Sequence, residues 1–178
     1  MSLLNKYSDP AKLREELDQN DNAIRDIKPK HMAAQLKQRV IGQDRVIDEI
    51  SRSIAHRFNR PRKGKPIYTL FVSGPTGVGK TELAKATAEF IFGDEAHMFT
   101  VNVNSLQGHG LSSLIGSPKG YAGSSEWGAL TKHLRQTPET LILFDELEKA
   151  GKDPNAEIYK MLLTLLDEGY VVEQSVQQ

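Results

Sequence analysis

The residues with the clearest chemical signature form one stretch, Gly74-Pro75-Thr76-Gly77-Val78-Gly79-Lys80-Thr81, with the G-x-x-x-x-G-K-T pattern of a phosphate-binding loop. Glycines let the backbone take positive φ and approach a phosphate without a Cβ in the way. Successive N–H groups then form an anion-binding nest at a helix N-terminus. A glycine-rich turn that binds nothing is the alternative, but it needs neither the cation nor the hydroxyl of G-K-T. We therefore predict a phosphate site here.

The last two residues of this stretch have separate predicted roles. Lys80 places a positive charge on the β- and γ-phosphates of a nucleotide. The Thr81 hydroxyl is placed to bind Mg²⁺, which keeps several waters and takes few protein ligands. The sequence thus predicts ATP or ADP with Mg²⁺ as the cofactor.

Two carboxylates, Asp145 and Glu146, directly follow the four apolar residues 141–144. By themselves they fit a solvated strand end followed by a charged helix start equally well. Ligand sites of open α/β sheets lie at the carboxyl edge of the strands, where the phosphate loop also begins. With that loop, Asp145 is predicted to hold the hydrated Mg²⁺ and Glu146 to act as the base that orients a water. Adjacent strand residues point to opposite faces, so this division of roles requires the strand to end or bend there.

The elements that must position these groups alternate between apolar strands and amphipathic helices, which predicts an α/β fold with a parallel sheet covered on both faces. A buried strand is predicted over 67–73, before the phosphate loop, and further strands over 97–103 and 140–146. Helices are predicted over 11–19, 31–39, 43–59, 82–90, 111–115, 126–135 and after Pro154. The helix over 43–59 is predicted to have an apolar face formed by Val46, Ile47, Ile50 and Ile54. The last helix is predicted to end at Gly169.

Composition excludes several classes of protein. The 178 residues contain 23 basic and 23 acidic side chains and no cysteine, so there is no global electrostatic case for nucleic acid, no disulfide and no thiolate metal site. Neither a signal-peptide core nor a membrane-length apolar run is present, and we expect a cytoplasmic protein. The basic run within 52–65 fits a nucleic-acid patch or a solvated connector. The connector is favoured because aromatic stacking residues are lacking beyond Phe58.

Taken together, the phosphate loop and the Asp-Glu pair at a strand end resemble the AAA+ ATPases. Within them, three stretches resemble the second ATPase module of the Clp unfoldases and disaggregases. These stretches are Val40-Ile41-Gly42-Gln43-Asp44, the phosphate loop continued by Glu82-Leu83-Ala84-Lys85, and Gly116-Ser117-Pro118-Lys119-Gly120-Tyr121-Ala122-Gly123 followed by Gly128-Ala129-Leu130-Thr131. The likeness covers about residues 36–169.

The resemblance implies a three-layer α/β/α P-loop NTPase fold and a hexameric ATPase that threads unfolded polypeptides through a central pore. Glu82 would belong to the nucleotide site, and Val40 and Ile41 would line the adenine pocket, although an apolar pair suits a core equally well. Gly120, Tyr121, Ala122 and Gly123 would form the pore loop that grips the polypeptide, where an aromatic between glycines gives a flat, sequence-tolerant contact. A glycine loop with Tyr121 packed inward is the alternative.

The chain departs from the family pattern in three places. Ala122 stands where Val is commoner, the link 150–153 is slightly longer, and the sensor residues, the arginine finger and the fourth and fifth strands do not follow Gly169. We therefore expect a fragment, with residues 1–35 as a linker or helix and 36–178 as a partial AAA+ core, and poor hydrolysis by this chain alone. Two other functions remain open: an AAA+ motor acting on DNA, and a non-catalytic, nucleotide-regulated interaction module.

Overall fold

The computed structural model describes residues 27–60, 66–75, 77–106, 110–117, 127–150, 157–169 and 171. Its helices are α1 (Pro29–Arg39), α2 (Asp44–Phe58), α3 (Lys80–Phe92), α4 (Gly110–Ile115), α5 (Ala129–Gln136) and α6 (Glu157–Glu168). Its strands are β1 (Met98–Asn102) and β2 (Leu141–Asp145), and short 3₁₀ turns cover Glu95–His97, Val103–Leu106 and Leu147–Ala150. Three helices precede β1 and two lie between β1 and β2, so the described residues form a helix-rich, incomplete α/β domain.

Helices α1, α2 and α3 share one apolar core. Helix α1 begins at Pro29 rather than at His31, because proline has no N–H to lose at the first helical position. It packs on both α2 and α3, and Met32 and Leu36 are almost wholly buried. The predicted boundary between residues 35 and 36 therefore falls inside a helix that belongs to this packed unit.

The predicted apolar face of α2 is confirmed at three of its four positions. Ile47, Ile50 and Ile54 are buried. The prediction is wrong for Val46, which remains 42% exposed, because the helix turns it away from the stripe that the three isoleucines bury.

The two strands form a parallel pair, as the sequence predicts for 97–103 and 140–146. Their register runs from Met98 opposite Leu141 to Asn102 opposite Asp145. A second apolar core covers them with residues from α4, α5 and α6, and α3 packs against both strands and so connects the two cores.

The prediction of a buried strand over 67–73 is wrong in this structure. Residues 68–75 have no regular secondary structure, and Phe71 is 79% exposed. A β-strand exists only when a neighbour accepts and donates its backbone hydrogen bonds. Among the described residues the sheet holds β1 and β2 alone. The resemblance puts a further strand between 67–73 and the acid-bearing strand, and no described segment takes that position.

The remaining predicted elements agree with the structure to within a few residues. The helix after the phosphate loop ends at Gly93, whose φ of 85° terminates α3 as predicted. The predicted helices 111–115 and 126–135 correspond to α4 and α5, and the last one to α6. The predicted helix over 11–19 and the Asp153-Pro154 start lie outside the described residues. None of the helices in the described part is both long and apolar enough to cross a membrane.

Candidate phosphate-binding site

The phosphate loop leads directly into α3, as its glycines predict. Gly77 and Gly79 have φ values of 84° and 93°, which residues with a Cβ rarely adopt. Gly74 does not need this freedom, since its φ is not positive and an added Cβ would meet only Val78 Cγ2 at 3.5 Å. Thr76 lies outside the described residues.

The first turn of α3 is open to an anion. No side chain caps the helix at Gly79, and the first intrahelical bond runs from the Leu83 N–H to the Gly79 carbonyl over 2.8 Å. The N–H groups of Lys80, Thr81 and Glu82 therefore precede the helical ladder, where the helix dipole favours negative charge.

The Lys80 ammonium lies against its own loop. It donates hydrogen bonds to the carbonyl of Gly74 over 2.8 Å and to the carbonyl of Pro75 over 2.9 Å. An ammonium has three N–H donors, so these two bonds to described residues leave a third for a phosphate oxygen. The lysine thus holds the beginning of the loop against the start of α3.

The two candidate acids are separated by the bend that their predicted roles require. Strand β2 ends at Asp145, and Glu146 has a φ of 56°, the one positive value among the described non-glycine residues. The Glu146 N–H donates to Asp145 Oδ1 over 2.9 Å. The backbone then enters a 3₁₀ turn, which the Lys149 N–H closes onto the Glu146 carbonyl over 2.8 Å.

The acids stand at the carboxyl edge of the sheet. Asn102, the last residue of β1, is in register with Asp145, and the 3₁₀ turns that follow the two strands contact each other. Helix α3 packs on both strands. Among the described residues, no hydrogen bond or ion pair joins Asp145 or Glu146 to Lys80 or Thr81. Sequence reasoning overlooked Asn102, although the end of a second parallel strand marks the same edge.

Of the two residues predicted to line the adenine pocket, one side chain is buried and the other is exposed. Val40 is 5% exposed, and a Cβ built on Gly79 would lie 3.5 Å from Val40 Cγ1. Ile41 is 80% exposed and precedes Gly42, which has a φ of 81°. Val40 therefore backs the last glycine of the phosphate loop, while the apolar surface of Ile41 faces outward.

Arg39 is a residue of this region that sequence reasoning overlooked. Its Nε donates to Glu82 Oε1 over 2.8 Å, and a second guanidinium nitrogen contacts the same oxygen. Its Nη1 reaches Glu89 Oε2 at 2.5 Å and Glu95 Oε1 at 2.7 Å. The bonds to Glu95, then Glu82 and Glu89 raise the pKa of Arg39 above its ordinary value. Glu82, predicted to belong to the nucleotide site, therefore directs its carboxylate to α1. The sequence shows a basic residue in the last turn of a helix, but nothing near it identifies the three carboxylates as its partners.

The candidate pore loop lies outside the described residues, which include its two flanks. Gly116 has a φ of 86°. A Cβ built on Gly128 would lie only 2.4 Å from the Gly116 nitrogen and the Leu114 carbonyl oxygen. The flanks therefore touch backbone to backbone. Beside them, the Arg135 guanidinium stacks 3.3 Å over the Trp127 ring.

The donor set fits a magnesium nucleotide. An uncapped helix start and an ammonium suit phosphate, and a hydroxyl and a carboxylate are the hard oxygen ligands that Mg²⁺ prefers. The described residues contain no cluster of three or more metal-ligating side chains. A hydrated Mg²⁺ does not need such a cluster, because Thr81 and Asp145 would share it with water and phosphate oxygens.

The AAA domain family (Cdc48 subfamily) matches residues 65–178. The chain is 45% identical over 145 residues to an "ATP-dependent Clp protease ATP-binding subunit ClpA homolog" of Pyropia yezoensis, covering 80% of this chain and 17% of that protein. It is 44% identical over 144 residues to "Chaperone protein ClpC2, chloroplastic" of Oryza sativa subsp. japonica, covering 80% of this chain and 15% of that one. The chain thus spans about a sixth of the length of these relatives.

Proposed function

The chain belongs to the AAA domain family, and from that premise we propose that residues 74–82 bind ATP or ADP with Mg²⁺ in a protein that hydrolyses ATP. One observation carries this proposal: α3 opens without a side-chain cap at Gly79, beside the Lys80 ammonium. The relatives support it, since one is named an ATP-binding subunit.

The residues around the loop divide the work of binding. The N–H groups at the start of α3 donate to phosphate oxygens, and Lys80 adds its charge while its other bonds keep the loop closed. Thr81 and Asp145 hold the hydrated metal, and the metal supplies charge neutralisation at the phosphates when bound. Val40 and Ile41 contact the adenine, with Ile41 offering the exposed apolar surface.

Hydrolysis is assigned to Glu146 as the general base. Strand β2 ends at Asp145 and the backbone bends at Glu146, so the two acids are not confined to opposite faces of a strand; one acid serves the metal and the other orients and deprotonates a water. The hydrogen bond from the Glu146 N–H fixes the Asp145 carboxylate. The two roles therefore need adjacent residues and a left-handed turn between them.

We infer that hydrolysis in the whole protein drives protein unfolding, in a hexameric ring that threads a polypeptide past Tyr121. The names of the relatives support this, since one is a chaperone and another serves a Clp protease. The contact between Gly116 and Gly128 supports the assignment of a pore loop, because it brings together the two residues between which the loop would begin and end. The ring and the polypeptide substrate are the partners of this proposal.

Nucleotide binding is tested by titrating the 178-residue chain with a fluorescent ATP analogue in the presence of Mg²⁺. Lys80→Ala is expected to weaken binding by about tenfold or more, since a charge-assisted contact to phosphate is lost. Lys85→Ala is the matched control, because it removes a lysine from the same helix outside the loop. Equal affinity of Lys80→Ala and the unmodified chain contradicts the phosphate assignment.

Catalysis and threading are tested in the whole assembled protein. Glu146→Gln is expected to keep ATP binding and to abolish hydrolysis, and unaffected turnover would contradict the assignment of the base. Tyr121→Ala is expected to spare ATPase activity and to impair unfolding of a tagged substrate. Intact threading would remove the pore-loop assignment, and salt-dependent DNA binding through residues 52–65 would favour the DNA motor instead.

A further inference from the structure

One arginine links the segment before the phosphate loop to the helix after it. Arg39 ends α1, and its guanidinium contacts Glu82 in the first turn of α3, Glu89 two turns further along the same face, and Glu95 beyond the end of α3. A planar guanidinium presents five donors in a fixed fork, so it can serve several carboxylates at once. The last residue of α1 is thereby joined to the first turn of α3, to a later turn of α3 and to the 3₁₀ turn that follows it.

The next residue in the chain makes a second contact with the same helix start. Val40 is buried and backs Gly79, the residue that precedes α3. Arg39 and Val40 therefore hold α3 at positions 82 and 79, on either side of Lys80 and Thr81. Ile41 follows immediately and is exposed. The position of Ile41 relative to the phosphate loop is thus determined by two contacts that do not involve Ile41 itself.

The exposure of these charged groups indicates that the contacts of Arg39 contribute geometry more than stability. The group of one guanidinium and three carboxylates carries a net charge of −2. The Arg39 side chain is 30% exposed and those of Glu82, Glu89 and Glu95 are 39–53% exposed, so solvent screens the attraction and little stability is gained from it. What the fork provides is geometry, because each of its bonds has a fixed direction.

We propose that Arg39 is a positioning residue that couples recognition of the nucleotide base to binding of the phosphates. It rests on the proposed function, because it takes residues 74–82 as the phosphate site and Ile41 as a contact of the base. With the fork in place, an adenine on Ile41 and a triphosphate at the start of α3 are held at a fixed separation. Without it, each half of the site persists while their spacing varies.

The experiment compares two probes on the same chain. MgATP carries a nucleoside and inorganic tripolyphosphate with Mg²⁺ does not. The dissociation constant of tripolyphosphate divided by that of MgATP therefore measures the contribution of the nucleoside, the base together with its ribose. Arg39→Gln is expected to reduce this ratio by about tenfold, with tripolyphosphate affinity within about twofold of the unmodified chain. Both dissociation constants are determined at a temperature where circular dichroism shows each variant fully folded.

Lys37→Gln is the matched control. Lys37 lies two residues earlier on α1, is 31% exposed, and contacts Asp44 at 3.6 Å and Asp48 at 2.8 Å on the side of α2. It has no contact with α3 among the described residues, so its removal is expected to leave the ratio unchanged. An equal fall in the ratio for Lys37→Gln overturns the proposal, since a general weakening of α1 would then suffice.

Other results are equally decisive. If Arg39→Gln lowers both affinities in parallel, or neither, Arg39 has only a structural role and the proposal is overturned while the nucleotide site stands. If the unmodified chain binds no MgATP, the proposed function itself fails. Should Arg39→Gln not fold, Arg39→Lys replaces it. A single ammonium cannot form the three-way fork, so the ratio is still expected to fall by about threefold, and an unchanged ratio overturns the proposal.

Discussion

The backbone N–H of Glu146 donates to the carboxylate of Asp145 over 2.9 Å, and Glu146 itself has a φ of 56°. A left-handed conformation costs a residue with a Cβ about 1–2 kcal/mol. The strain lies where the candidate metal ligand is followed by the candidate base. Backbone strain of this kind persists where the surrounding structure imposes it, commonly at functional sites.

We predict that Glu146→Gly stabilises the fold by about 1 kcal/mol and removes hydrolysis, because glycine adopts the left-handed conformation freely and supplies no carboxylate. Urea unfolding of the chain gives the first quantity, and ATP turnover of the whole protein gives the second. Glu148→Gly, in the 3₁₀ turn that follows, is the control and is expected to be neutral or destabilising. A loss of stability in Glu146→Gly similar to that in Glu148→Gly would show that the turn stores no strain.

Ser51 is fully buried in α2, and its hydroxyl has no hydrogen-bond partner among the described residues. A buried polar group without a partner costs about 1–3 kcal/mol. Ser51→Ala is therefore expected to raise the free energy of unfolding by more than 1 kcal/mol, including a gain in helix propensity of about 0.5 kcal/mol. Urea denaturation measures the change.

The control for Ser51 is Ser53→Ala on the same helix, where the side chain is only half-buried. It gains the same helix propensity and removes no orphaned hydroxyl. The difference between the two variants isolates the buried group, and equal effects would mean that Ser51 finds a partner in solution.

The sequence predicted the local parts of the site better than the relation between them. The positive φ of Gly77 and Gly79, the end of α3 at Gly93 and the strand before Asp145 follow from residue type and period alone. The exposure of Phe71 could not be predicted in this way, because an apolar run becomes a buried strand only if a neighbouring strand pairs with it. The contacts of Arg39 could not be predicted either, since its three partners are 43 to 56 residues away along the chain and no local pattern encodes such a contact.

His133 lies in a hydrogen-bonded network at the amino ends of the two strands. The Thr140 hydroxyl donates to the His97 carbonyl over 2.8 Å, so it accepts from His133 Nε2 over 2.9 Å, which makes the neutral ring an Nε2–H tautomer. The Phe99 ring packs against it. Burial, and secondly the charge of His97, lower the pKa of His133 from its ordinary value.

A lowered pKa in the folded state means that the unfolded chain binds more protons. The contribution of His133 is therefore fully present above about pH 6.5 and is lost as the pH falls through the lower pKa of the folded state. Urea unfolding between about pH 7.5 and about pH 5 is expected to show a smaller loss of stability for His133→Gln than for the unmodified chain. His56→Gln, an exposed position on α2, is the control. Identical profiles for all three proteins would contradict the assignment.

Gly128 is predicted to be irreplaceable because an added methyl group meets backbone atoms and no flexible side chain. A Cβ there would lie 2.4 Å from the Gly116 nitrogen and 2.5 Å from the Ile115 carbonyl carbon. Gly128→Ala must push α4 and α5 apart, and we expect a loss of about 2–3 kcal/mol in unfolding free energy. Ala129→Ser, one residue later at the exposed start of α5, is the control. If Gly128→Ala unfolds at the same urea concentration as the unmodified chain, the two flanks of the candidate pore loop are not in contact.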